Sequence, residues 1–297
     1  MPTQKYYDLR TKKDKTIDNP VNILESPNDK FITIIPHGGT LVPKECLLNL
    51  NIDNLIIDTD HYTDEIFSLD NFGSSVITYL IHRGIIDVNR NLKRPFQRNN
   101  GIFRTNRFDK ESVIIKPYSS ELEQKLLDNF YQPFIDELNS KTKHFLQQYG
   151  RAIIINGHSM EHRPQEKRPG ICIANNSKEK GNNPTSDEYL FTLIYESLQD
   201  NLNDYPQIKK RMKELPQLIQ KNHPFKGLNG LTTRLGNPDQ KRDCILVEVN
   251  QHLYLDYQKV KQDPLGGKNE QLVQILNQYI ETSLHEAIGV ILSKYTS

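Results

Sequence analysis

The apolar residues of this chain come in short, largely β-branched runs, each cut off by a polar segment. The clearest are Phe31-Ile-Thr-Ile-Ile35, closed by Pro36-His-Gly-Gly; Ala152-Ile-Ile-Ile155, closed by Asn156-Gly-His-Ser-Met160; and Cys244-Ile-Leu-Val-Glu-Val249. Runs this short, bounded by Pro and Gly, predict buried strands rather than helices. Residues 75–80 and 84–88 read as two more strands. Between them lie helical patterns. Leu122, Leu126, Phe130, Phe134 and Leu138 recur every fourth residue within 119–148, with Ser119 and Ser120 placed to cap the start. Residues 186–222 predict two helices divided near Pro206. Leu272, Leu276, Ile280, Leu284, Ile288 and Ile291 predict a closing amphipathic helix. Strands alternating with helices imply an α/β sheet covered by helices. The polar stretch 1–28 is expected to wrap the surface as an arm, with one domain over 29–297.

Two of the polar segments that follow strands carry a histidine, His37 and His158. In open α/β sheets ligands gather at the carboxyl ends of strands, so both are expected at a site. A catalytic zinc takes three protein ligands and leaves one position for water; two imidazoles and a carboxylate are a common set. The carboxylate is expected from Asp58-Thr-Asp-His-Tyr-Thr-Asp64, which offers Asp58, Asp60 and Asp64, with Glu65 beside them and His61 as a competitor. Spacing alone does not rank them.

Composition narrows the remaining classes. The 297 residues carry 38 basic and 37 acidic side chains, a net charge of +1. Such a balance gives no whole-molecule pull toward nucleic acid or an anionic membrane. No apolar stretch approaches the roughly 18–20 residues of a membrane span. The first residues hold no apolar signal core. Three cysteines, Cys46, Cys172 and Cys244, are too few and too scattered for a disulfide framework. A cytoplasmic protein is expected, with Cys172 and Cys244 as core atoms.

Several blocks, in order, resemble the N-formylglutamate amidohydrolase family over about 31–257. They are Pro36-His-Gly-Gly-Thr40; Asp58-Thr-Asp60 with Thr63-Asp-Glu65; Arg83 through Asp87-Val-Asn-Arg90; Gly157-His-Ser-Met160; Asn222, Phe225-Lys-Gly227 and Thr233-Arg234; and Glu248 followed by Gln251, Leu253-Tyr254 and Asp256. The resemblance implies a distant kinship with zinc carboxypeptidases. It also implies a single three-layer α/β domain, its mixed central sheet faced by helices on both sides. It implies metal ligation by His37, Asp60 and His158, Asp60 being the aspartate that matches both variants of the family's block. One zinc ion per chain is expected, another divalent metal being an alternative. The chain departs from the pattern at Ile135, where many members have histidine, and at Asn156, where some have aspartate.

The implied activity is hydrolysis of an N-acyl, in the family an N-formyl, acidic amino acid such as N-formylglutamate. Glu248 lies in an otherwise apolar strand. A carboxylate there is costly to bury without a task, and burial raises its pKa toward the range of a general base. It is expected to carry the proton from water to the leaving amine. A dicarboxylate substrate calls for arginine forks: Arg90 first, then Arg234 and Arg83, with Asn89 orienting Arg90 or touching substrate. Two alternatives keep the fold. One is the same metal centre acting on another amide, such as a different N-acyl amino acid or a γ-glutamyl peptide; the other is a binding protein without turnover. A basic run, Arg94, Arg98, Arg104 and Arg107, falls in a stretch that does not align with the family. The substrate partner is a small molecule, with no nucleic acid or membrane expected.

Overall fold

A computed structural model describes residues 4–90, 101–107, 111–177, 183–228, 230–256, 259–260, 263 and 265–294. The strands, in chain order, are β1 (Gln4–Asp8), β2 (Lys13–Ile17), β3 (Val21–Leu24), β4 (Phe31–Ile35), β5 (Leu41–Pro43), β6 (Ser74–Tyr79), β7 (Ala152–Met160), β8 (Ile171–Ala174), β9 (Ile219–Lys221) and β10 (Arg242–Asn250). The α-helices are α1 (Ile52–Ile57), α2 (Thr63–Ile66), α3 (Ser120–Leu126), α4 (Gln132–Tyr149), α5 (Glu188–Asn201), α6 (Pro206–Met212), α7 (Leu231–Leu235) and α8 (Glu270–Ser293). Seven strands form one mixed sheet in the order β3-β6-β4-β7-β10-β8-β9. Its centre, β6-β4-β7-β10, is parallel; β3 and β8 pair antiparallel to their inner neighbours.

Period-two alternation divides the sheet into two buried faces. On β7, Ile153 and Ile155 join a core with α5, α6 and α8, while Ala152 and Ile154 join the other core with α3, α4 and α7. This is the α/β sheet between helical layers that the sequence implies. The expected cap at Ser119 is made, its Oγ accepting from Leu122 N–H, and Asn269 caps α8. Among the described residues no helix is long and apolar enough to cross a membrane. Cys46, Cys172 and Cys244 are buried, and none is in a disulfide among the described residues.

Four local expectations change. The N-terminal stretch, expected as an arm, carries three strands: β1 and β2 join β5 in a second sheet, and β3 edges the main one. Residues 84–88 form turns, not a strand. Ile85, Ile86 and Val88 are fully buried there without a ladder, so their apolarity reflects packing rather than pairing. The helix over 119–148 is interrupted by a π turn, Leu127–Tyr131, and runs on to Tyr149. Beyond α6, residues 219–221 form strand β9 rather than helix.

Candidate metal centre

β4 delivers His37 just past its last residue. The chain then turns against the end of β6, so closely that a Cβ on Gly39 would lie 2.3 Å from the Leu80 carbonyl carbon. That approach requires glycine. His158 was expected in a loop after Ile155. It sits instead inside β7, which continues to Met160 because 152–160 pair residue for residue with Arg242–Asn250 of β10. In that register His158 lies opposite Glu248. Opposed positions on neighbouring strands project to the same face, so the ladder itself sets the two side chains side by side.

Asp60 comes from the turn between α1 and α2 and lies 5% exposed. Its Oδ2 is 3.1 Å from His158 Nδ1 and 3.4 Å from His37 Nδ1, and its Oδ1 accepts from Arg83 Nη1 at 2.8 Å. Geometry now separates the three aspartates. Asp58 is paired with Arg104 and Asp64 with Arg10, each at 2.8 Å. His61, the competitor, is not one of the converging donors. Among the described residues the one cluster suited to a metal ion is His37, Asp60 and His158.

The charge states suit a cation. Burial would raise the Asp60 carboxyl, but Arg83 and the two histidines outweigh it and hold it well below the usual range. Burial lowers the His158 imidazole to about 4, the Asp60 hydrogen bond opposing, so His158 is neutral near pH 7. Asp87 is likewise held well below its ordinary value against its own desolvation, by His37 and Arg90 among others. An ionised Asp87 accepts from His37 Nε2 at 2.8 Å. His37 Nδ1 is buried, makes no hydrogen bond and faces the Asp60 carboxylate, 3.4 Å from its Oδ2. A nitrogen left without a hydrogen bond beside a buried carboxylate oxygen is a donor pair that a cation can bridge. Donors at about 2.0–2.1 Å from a tetrahedral zinc stand about 3.3 Å apart, close to the separations found here. Asp87 behind His37 is the carboxylate–histidine pairing that orients metal ligands. The residues present therefore fit zinc.

Glu248 is buried, and desolvation, with the Asp60 charge adding to it, pushes its carboxyl up to about 8; Arg83, Arg168 and Arg90 pull the other way. Glu248 and the three donors line a cavity of about 380 Å³. Arg83 and Arg90 also line it. Both turn to Asp87, with Arg83 Nη2 and Arg90 Nε each 3.6 Å from its Oδ2. Asn89 lines the cavity but its amide is engaged: Oδ1 accepts from Leu231 N–H at 2.8 Å and Nδ2 lies 3.3 Å from His158 Nε2. Arg234 is exposed and is not among the lining residues; it donates to Tyr131 Oη, which donates to the Arg90 carbonyl. Ile135 is buried in the core away from the cavity, so that departure from the family pattern does not touch the site.

Sequence reasoning missed Arg163 and Arg168 on the far wall, and named Phe225 and Lys226 only within one of the family-like blocks. These four line that wall, with the Arg168 guanidinium 5.5 Å from the centre of the Phe225 ring. They lie on polar loops with no periodicity to mark them. Of the basic run, Arg94 and Arg98 lie outside the described residues. Arg104 is fully buried on Asp58, and Arg107 donates to Asn54 Oδ1.

The fold has known counterparts. A structure of N-formylglutamate amidohydrolase from Ralstonia eutropha superposes with a TM-score of 0.73 at 17% identity, covering 92% of this chain and 99% of that one. A gene product from Agrobacterium tumefaciens superposes with a TM-score of 0.63 at 16% identity, covering 93% and 94%. At these identities the likeness shows the fold. No curated protein matches the sequence. The sequence profile described as N-formylglutamate amidohydrolase matches residues 29–255, more than three quarters of the chain. The chain belongs to the N-formylglutamate amidohydrolase family, hydrolases that act on amide bonds.

Proposed function

We propose that this chain hydrolyses the amide of an N-formyl acidic amino acid, N-formylglutamate being the substrate tested first, as a zinc enzyme of the cytoplasm. His37, Asp60 and His158 hold the ion in a single catalytic domain over 29–297. The observation that carries the reading is the convergence of His37 Nδ1, Asp60 Oδ2 and His158 Nδ1 beside a buried carboxyl, Glu248. A zinc ion held there supplies Lewis acidity, acidifying water from a pKa of about 15.7 toward about 7 and polarising the amide carbonyl. Glu248 takes the proton of the attacking water and delivers it to the departing amine nitrogen. Its raised pKa suits both transfers near neutrality. Arg90 binds a substrate carboxylate through its planar fork. Arg83 stays on Asp60 and Asp87 and fixes the ligand set rather than the substrate.

The test is metal analysis followed by turnover. The purified chain should carry close to one zinc per molecule and hydrolyse N-formylglutamate in preference to N-acyl neutral amino acids, and a chelator should abolish both. Glu248→Gln should keep the zinc and lose about 10²–10⁴ in kcat. Activity that survives this change removes Glu248 from the mechanism. Zinc bound with no turnover on any amide would leave a binding protein on this fold.

A further inference from the structure

The segment that follows β10 has no role in the chemistry above, yet it reaches back to the metal centre twice. Gln251 opens a 3-10 turn (Gln251–Leu253) directly after the strand that carries Glu248. Its Nε2 donates to the Thr59 carbonyl at 3.3 Å and to Ser159 Oγ at 3.2 Å. A carbonyl only accepts, so the Thr59 contact fixes which end of the amide points there. Tyr254 Oη donates to the His61 carbonyl at 2.7 Å. Thr59 and His61 flank Asp60, and Ser159 follows His158. Both gripping side chains are buried, Gln251 at 7% and Tyr254 at 0% exposure.

We infer that Gln251 and Tyr254 are positioning residues that fix the Asp60 peptide relative to Glu248. The inference rests on the reading of Asp60 as a metal ligand. Asp60 lies in no ladder and no helix. Its own carbonyl is held locally, by Thr63 Oγ1 at 2.8 Å, which ties it to α2 but not to the sheet. The peptide carbonyls on either side are held by the continuation of β10. One strand and its extension thus set both the proton carrier and the carboxylate ligand. Gln251 also ties the two ligand-bearing segments, 98 residues apart in sequence, to a single amide nitrogen.

The experiment measures zinc dissociation constants by chelator competition on the full chain after metal stripping. Gln251→Met fills the same volume without a donor, and Tyr254→Phe removes one hydroxyl. Each should raise the zinc dissociation constant about 10–100-fold, the usual cost of losing a group that orients a ligand. The double variant should fall short of the product, since both groups hold one peptide segment. Tyr279→Phe is the control, because its hydroxyl also donates to a backbone carbonyl, that of Leu198, in the helical core. It should lower the melting midpoint of the metal-free chain and leave zinc affinity unchanged. Folded Gln251→Met and Tyr254→Phe chains that bind zinc within twofold of the unsubstituted protein would overturn the inference, as would an equal weakening in Tyr279→Phe. Should the unsubstituted chain take up no zinc, the metal reading itself has failed and this inference falls with it.

Discussion

Two halves of one site are built in different ways. His158 and Glu248 stand on β7 and β10, where a run of paired backbone positions fixes their register. Asp60, Arg83, Asp87 and Arg90 stand on turns, outside any ladder. Their side chains are held by charge: Arg83 on Asp60 and Asp87, Asp87 on His37, and Arg104 on nearby Asp58. The strand half keeps its backbone whatever side chain it carries. The turn half is held by the very groups that perform its chemistry, so removing a charge there removes structure as well.

The largest effect should therefore fall on Arg83. Arg83→Met leaves two buried carboxylates, Asp60 and Asp87, without their shared cation, and breaking such a pair costs about 3–5 kcal/mol. Urea unfolding of the metal-free chain reads this directly. Saturating zinc should return part of the loss, because the ion brings positive charge to Asp60. Arg104→Met should cost somewhat less, about 3 kcal/mol, since the partner left behind is Asp58 alone. Zinc should return none of it, as Asp58 is not one of the converging donors. Equal rescue of the two variants would break the distinction between the ligand set and its surroundings.

The strand half should show the opposite sign. The folded chain holds the Glu248 carboxyl at about 8 against an ordinary 4.5, so folding takes up a proton between those values. Stability tied to the protonated group is complete below about pH 4.5 and is lost as pH rises through about 8. Gln does not titrate. Metal-free Glu248→Gln should thus gain on the unsubstituted chain across pH 5–8 and gain no more above. Uptake of one proton on folding is worth about 1.4 kcal/mol per pH unit, which bounds the gain over pH 5–8 at about 4 kcal/mol; water admitted to the cavity that Glu248 lines narrows the window, and a total of about 2 kcal/mol is expected. Zinc should shrink the difference by drawing the carboxyl pKa down. A pH-independent difference would show that Glu248 is not desolvated.

The same division governs what the sequence revealed. The α/β alternation and the strands around His37, His158 and Glu248 were legible because burial on both faces writes a short apolar run. The strand through 156–160 was hidden, since it carries polar residues, His158 and Ser159 at the cavity and Asn156 on Thr232, while its backbone stays in the ladder. Residues 84–88 misled for the converse reason: their apolar side chains are buried without pairing. The choice among Asp58, Asp60 and Asp64 required their partners, Arg104, Arg83 and Arg10, which lie 46, 23 and 54 residues away. No local pattern encodes such a pairing; only the family's block singled out Asp60.

Arg90 and Arg234 sharpen the comparison at the smallest scale. Both were expected to bind substrate carboxylates, and one hydroxyl, that of Tyr131, touches both segments: it accepts from Arg234 and donates to the Arg90 carbonyl. Only Arg90 faces the cavity. Arg90→Ala should raise KM for N-formylglutamate about tenfold, roughly 1.4 kcal/mol, with kcat little changed, and should scarcely affect neutral N-acyl substrates. Arg90→Lys should recover only part, because a point charge replaces a fork. Arg234→Ala should change KM less than about twofold, being linked to the site only through Tyr131 and a backbone carbonyl. A large KM effect at Arg234 would mean that this turn moves into the cavity when substrate binds, and the turn half would then be set by ligand as well as by charge.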